Sequence, residues 1–167
     1  TLDYSRGYSS ETFYGTKFNH LVLGTNEETL NMQDQGIYTM FGSIPGGPST
    51  YDEFKRLVPD FPARLDLTIL DGPKNIVGPY MWGTLDKVHL PSTAISVEGF
   101  YDCFGITSIN LPEGLKTIRS TAFRNCSFLT LSTPFPSTVT RIESYAFDNC
   151  AKLQGDINNY LPAGLQY

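Results

Sequence analysis

The side chains whose chemistry must be weighed first are three cysteines, Cys103, Cys126 and Cys150, and two histidines, His20 and His89. An odd number of thiols suggests either a disulfide with one reactive cysteine left over or three unpaired groups. The cysteines are 23 and 24 residues apart, so they occupy equivalent positions of successive units. Equivalent residues of stacked units meet in a shared interior, where a thiol behaves as a small apolar side chain and, with no base beside it, is inert. A bridge between units is possible only if the alpha carbons approach within about 7 Å. The expectation is three buried, reduced thiols. Both histidines are expected on outward strand positions with one strand between them, about 10 Å apart at the usual strand spacing. That is too far to share a metal with bonds near 2 Å, and no further ligand completes a set. Thiols pointing inward on the opposite wall cannot pair with either imidazole as nucleophile and base.

Asn125-Cys126-Ser127 is a formal glycosylation sequon, but Asn125 shares its repeat position with Asp102 and Asn149, which favours a turn role. No glycine-rich phosphate loop, nucleophile elbow or zinc signature is present. No motif pairs two of the carboxylates as a glycosidase would need. The sequence therefore points to no catalytic residue, no metal and no cofactor.

The elements that position these residues repeat. Three segments end in Phe-x-x-Cys, at Phe100, Phe123 and Phe147, with Asp or Asn before each Cys and an aliphatic three residues after it. An isoleucine lies eight residues before each Cys (Ile95, Ile118, Ile142), and a proline precedes each isoleucine (Pro91, Pro112, Pro136). The clearest unit runs Ile106-Thr-Ser-Ile109-Asn-Leu111-Pro112 and on through Ile118, Ala122 and Phe123 to Cys126. Aliphatic-x-x-aliphatic-x-aliphatic-Pro is a short strand ended by a residue that cannot continue a ladder. The Ile-x-x-x-Ala-Phe-x-x-Cys half reads as one or two turns of helix on the opposite wall. Asn or Asp before Cys tolerates the left-handed conformation that ends such a turn. A unit of this length cannot bury its own apolar face, so the copies must stack on one core.

This unit resembles the BspA-like leucine-rich repeat family, in which Ala-Phe-x-x-Cys distinguishes the repeat from other leucine-rich repeats. Two departures are Gly99 in place of Ala before Phe100, and an insertion between Leu129 and Pro136. The expected fold is an α/β solenoid, a right-handed leucine-rich repeat superhelix. It has a short-stranded parallel sheet on one face, short helices or 3-10 turns on the other, and an N-terminal cap. Clear copies are 85–105, 106–128 and 129–152, with partial copies at 67–84 and 153–167. The repeat core is Ile95, Phe100, Cys103, Ile118, Phe123, Cys126, Ile142, Phe147 and Cys150.

Residues 1–66 differ, and are expected to be a cap or a degenerate repeat region, with one candidate copy at Phe18-x-x-Leu21-x-Leu23. Tyr4, Tyr8, Phe13, Tyr14 and Phe18 form an aromatic cluster among small polar residues. Thr25-Asn-Glu-Glu28 and Thr50-Tyr-Asp-Glu53 have the form of capping boxes at helix starts. Phe54, Leu57 and Val58 would give the second helix its apolar face, with Pro59 ending it.

Composition narrows the function. At 40% hydrophobic and 17% charged residues the chain can bury a core. A net charge of −5 argues against nucleic acid and against a polybasic hold on anionic lipid. No run of about eighteen apolar residues is present to span a bilayer as a helix. The first residues lack an initiator Met and a signal layout, and are expected to be a processed end. The resemblance implies a non-catalytic, cell-surface or secreted bacterial protein that adheres to a protein or glycan partner. The expected binding face is formed by outward strand residues: Ile69, Asp71, Lys87, His89, Ser108, Asn110 and Thr130. The alternative is a structural spacer in a longer surface protein.

Overall fold

The computed structural model describes residues 2–3, 19–33, 65–83 and 85–166. Among the described residues ten short strands form two parallel sheets. The first sheet joins β1 (Leu2–Asp3), β2 (His20–Gly24), β4 (Leu65–Ile69), β6 (Leu85–His89) and β8 (Ser108–Asn110), in that order. The second joins β3 (Thr29–Asn31), β5 (Asn75–Val77), β7 (Ser96–Glu98), β9 (Thr117–Ile118) and β10 (Arg141–Ile142). From β2 to β9 the chain alternates between the sheets, one strand of each per coil. That alternation makes it a solenoid with a single shared interior.

Strand alternation explains the first sheet. In Leu65-Asp-Leu67-Thr-Ile69 every second side chain is aliphatic and buried, and the two between them face outward. Leu21, Leu67, Val88 and Ile109 lie opposite one another, forming one inward column along the solenoid. At Leu65 the register shifts, leaving Asp86 as an extra residue in β6. Asp86 is buried, and it accepts a hydrogen bond from the Thr107 hydroxyl at 2.5 Å.

The strands of the second sheet are so short that each contributes one inward aliphatic: Leu30, Ile76, Val97, Ile118 and Ile142. Here the sequence register requires a correction. Ile95 was expected in this column, but it is 36% exposed and Val97 takes its place opposite Ile118. Counting back eight residues from Cys103 fails because this coil has two residues fewer between strand and Phe. Gly99 absorbs the shortening at φ +88°, where a Cβ would lie 2.7 Å from the Gly78 carbonyl oxygen. Ile95 instead occupies the corner position of Lys74 and Lys116, as the chain of bonds Ile95 N–H to Lys74 O and Lys116 N–H to Ile95 O shows.

A second correction concerns the wall after the second sheet, where no helix forms among the described residues. The stretch from Arg119 to Cys126 folds into successive tight turns: Ala122 N–H donates to Arg119 O, Arg124 N–H to Thr121 O and Cys126 N–H to Phe123 O. Thr121 and Asn125 are left-handed, at φ 56° and 61°, which interrupts any helix. The remaining amides are committed elsewhere. Thr121, Phe123 and Asn125 donate to the Ser144, Ala146 and Asp148 carbonyls of the next coil, at 3.1, 2.7 and 2.8 Å. Bonds between coils replace bonds along a helix. Among the described residues the one helical element is a 3-10 turn at Ile157–Asn159.

Thr25-Asn-Glu-Glu28 likewise starts no helix. The Thr25 hydroxyl accepts from the Glu27 N–H at 3.1 Å and closes the turn between β2 and β3. The aromatic cluster from Tyr4 to Phe18, the Thr50 capping box and the apolar residues Phe54, Leu57 and Val58 lie outside the described residues.

Between the walls, Phe100, Phe123 and Phe147 stack with ring centroids 5.7 and 5.4 Å apart. Phe135, from the insertion after Leu129, folds inward against Phe147 at 5.4 Å.

Candidate functional site

The outward side chains of the first sheet form two rows. One runs His20, Asp66, Lys87, Ser108 and Thr130, strand to strand; the other runs Val22, Thr68, His89 and Asn110. Parallel pairing in register sets these rows, because side chains alternate between faces with period two. Lys87, His89, Ser108, Asn110 and Thr130 therefore share the expected face.

Two residues expected on it are elsewhere. Ile69 is 3% exposed and lies opposite Leu23, in the core. Asp71 lies beyond the end of β4, where its carboxylate accepts from the Ser92 N–H at 2.7 Å and the Ser92 hydroxyl at 2.9 Å. Both follow from anchoring this copy on Leu67-x-x-Leu70. The strand is anchored on Leu65, Leu67 and Ile69, while Leu70 is 42% exposed. A register error of an odd number of residues turns every side chain to the other face. Sequence reasoning consequently missed Asp66 and Thr68, and the strict alternation from Leu65 to Ile69 was the signal that marks them.

Within the rows the side chains differ in freedom. Lys87 Nζ lies 3.8 Å from the Asp66 carboxylate, a half-exposed pair worth little in stability. The His20 Nε2 is 3.5 Å from the Thr68 hydroxyl. Asn110 is a structural clamp. Its Oδ1 accepts from the Leu90 N–H at 2.7 Å and its Nδ2 donates to the Leu90 carbonyl at 3.2 Å, which ties the end of β6 to β8. His20 is level with Asp66 and Lys87, whereas His89 is level with Thr68 and Val22. The two imidazoles are thus two strands and two residues apart, about 12 Å by standard strand dimensions. Among the described residues no group of three His, Cys, Asp or Glu is placed to hold a metal ion.

The cysteines form a separate column on the turn wall. All three are free and buried. Each thiol donates to a carbonyl of the preceding coil: Cys103 to Pro79 at 2.9 Å, Cys126 to Phe100 at 3.2 Å and Cys150 to Phe123 at 3.0 Å. Burial pushes all three thiols well above their ordinary value, Cys150 to about 12, with the neighbouring thiols adding to the rise at Cys126. Such thiols stay protonated and unreactive at neutral pH.

Beside them runs a column of polar side chains. Asn149 Nδ2 donates to Asn125 Oδ1 at 2.9 Å, and Asn125 Nδ2 donates in turn to the Asp102 carboxylate. All three backbones are left-handed, at φ 60°, 61° and 56° from Asp102 to Asn149. The amide of the formal sequon is a rung of this ladder, engaged on both sides.

Two parallel sheets, inward columns that run from strand to strand and a repeated turn wall define a leucine-rich-repeat type of solenoid. Residues 80–161 match the family model described as "BspA type Leucine rich repeat region (6 copies)", and this stretch of the chain is a BspA-type leucine-rich repeat region. Among solved structures, the chain is similar to the T. pallidum leucine-rich repeat protein TpLRR. Identity is 19% and the TM-score 0.49, over 81% of this chain and 62% of that one, so the chain spans less than two thirds of that protein's length. No curated protein matches the chain. Among the described residues no helix is long and apolar enough to cross a membrane.

Proposed function

We propose that the chain is a non-catalytic binding module of a cell-surface or secreted bacterial protein, which engages a protein or glycan partner through the outward face of the first sheet. The observation that carries this reading is the pair of in-register rows. Parallel strands hold charged, imidazole and hydroxyl side chains at fixed spacing on a surface that none of the described residues covers. A rigid scaffold of this kind loses little conformational entropy on binding. The rows lack Trp, Tyr and Arg anchors, so single contacts are weak and useful avidity comes from several copies.

The test is a Lys87→Ala/His89→Ala double variant, which spares the clamp at Asn110. Labelled wild-type and variant chains are applied to immobilised panels of neutral, sialylated and sulfated glycans and of extracellular-matrix proteins. Any partner bound by wild type should lose about tenfold or more in affinity, the effect of removing roughly 1.4 kcal/mol. Unchanged affinity would move the site off this face.

The small polar character of the rows also favours a second reading, in which the coils are a spacer that holds other parts of a longer protein at a fixed distance. Under that reading neither chain binds any member of the panels.

A further inference from the structure

The turn wall carries an outward column whose members change in kind from coil to coil. Hydrogen bonds fix its register: Met81 N–H donates to Tyr101 O at 3.0 Å, Asp102 N–H to Arg124 O at 2.8 Å and Asn125 N–H to Asp148 O at 2.8 Å. Tyr80, Tyr101, Arg124 and Asp148 therefore hold equivalent positions, each just before the donor of its coil. Arg124 and Asp148 link their coils as an ion pair at 3.2 Å. Tyr80 and Tyr101 link theirs by stacking, with ring centroids 5.2 Å apart and ring planes 4° from parallel. Both tyrosines are half-buried. Among the described residues this is the one contact between two tyrosine rings. Tyr145 is more open, at 68% exposed, yet stacks on no described tyrosine.

A phenol that gives up one electron and one proton becomes a phenoxyl radical, reactive at its oxygen and at the ring carbons Cε1 and Cε2. Two such radicals couple fastest when they are already held together, because the entropy cost of meeting is removed. The parallel stack places the two rings side by side, and the bond from Met81 to Tyr101 keeps their backbones at that spacing. The three thiols supply no covalent link between coils. They are free and buried, each committed to a carbonyl, and such protonated thiols react slowly with peroxide.

We infer that Tyr80 and Tyr101 form an oxidative modification site, at which hydrogen peroxide and a one-electron peroxidase join two neighbouring coils through a Cε–Cε bond. Each phenol loses one hydrogen atom, and the two phenoxyl radicals pair their electrons in the new carbon–carbon bond. The hydrogen on each coupled Cε then moves to the phenol oxygen as the ring regains aromaticity. In sum, two phenols and one peroxide yield one biphenol and two waters. The bond closes a loop of about twenty residues, and restricts the unfolded chain as a disulfide over such a loop does. The site lies on the turn wall, so it does not depend on the binding proposed for the first sheet.

The test treats the intact chain, at low concentration, with a haem peroxidase and hydrogen peroxide, followed by trypsin and mass spectrometry. Cleavage after Lys74, Lys87 and Lys116 leaves Tyr80 as the one tyrosine of residues 75–87 and Tyr101 as the one tyrosine of residues 88–116. The expected product is these two peptides joined, lighter than their sum by two hydrogens, from protein that remains monomeric. Its yield should exceed that of any other tyrosine pair by about tenfold or more, the advantage of a held pair over a chance encounter. Tyr80→Phe and Tyr101→Phe each keep a ring in the stack and should each abolish the product. Separate, unlinked peptides under conditions that couple free tyrosine would overturn the inference. So would linkage through Tyr145 or any other tyrosine in equal or greater yield, which would mean that exposure rather than stacking selects the partner.

Discussion

At the scale of single residues, the thiols and the asparagine rungs carry the clearest consequences. A buried thiol whose pKa is raised favours the folded state only while the unfolded thiol is also protonated. Its contribution is therefore complete below the ordinary value of 9.0, and it is lost as pH rises from there towards the folded value, about 12 for Cys150. Each buried thiol should steepen the loss by up to about 1.4 kcal/mol per pH unit in that window. Urea unfolding at pH 8 to 11 should show a shallower decline for Cys126→Ala than for wild type. An equal slope would mean that the thiol is ionised in the folded chain. The ladder gives a sharper substitution. Asn125→Asp keeps a side chain that tolerates φ 61°, but sets a second carboxylate against Asp102 where an amide N–H had donated. The expected cost at neutral pH is about 1–3 kcal/mol, partly regained on acidification below the carboxylate pKa values. Equal stability of wild type and variant at pH 7 would remove the ladder from the account.

Single elements here are too short to be stable alone. The strands are two to five residues long, and β2 to β9 bury one to three side chains each, so stability resides in columns that run across coils. Phe123 is the centre of such a column, fully buried and stacked on both sides. Phe123→Ala should cost about 3–5 kcal/mol, and lower the melting temperature by on the order of 10 °C. Calorimetry showing a shift under a degree would contradict the packing. The turn wall follows the same logic. Its amides bond to the next coil, which is why a stretch with near-helical apolar spacing forms no helix. Periodicity alone could not reveal this, because inward residues of a tight turn and of a short helix have similar spacing.

For the whole molecule, the sequence by itself determined that the chain is a stacked repeat. Leucine, phenylalanine and cysteine recur at intervals that only a shared interior satisfies. Phe100, Cys103, Phe123 and Cys126 are buried at that interior, as their spacing requires. Where the spacing within the strand is the same, as in Leu85-x-x-Val88-x-Leu90 and Ile106-x-x-Ile109-x-Leu111, counting suffices, and Lys87, His89, Ser108 and Asn110 face outward as read. Where lengths differ, counting fails. The coil ending at Cys103 is two residues short, which puts Val97 in the column assigned to Ile95. The strand from Leu65 lacks the extra residue that Asp86 adds to β6, so its inward positions are Leu65, Leu67 and Ile69, and Asp66 and Thr68 are part of the face. Only the tertiary structure decides these positions, because a strand side chain's direction depends on which neighbour it pairs with, and that pairing is formed between coils rather than along the chain. The second sheet and the turn wall arise in the same way. Each is a hydrogen-bond relation between residues about two dozen positions apart, and no local pattern in the sequence records it.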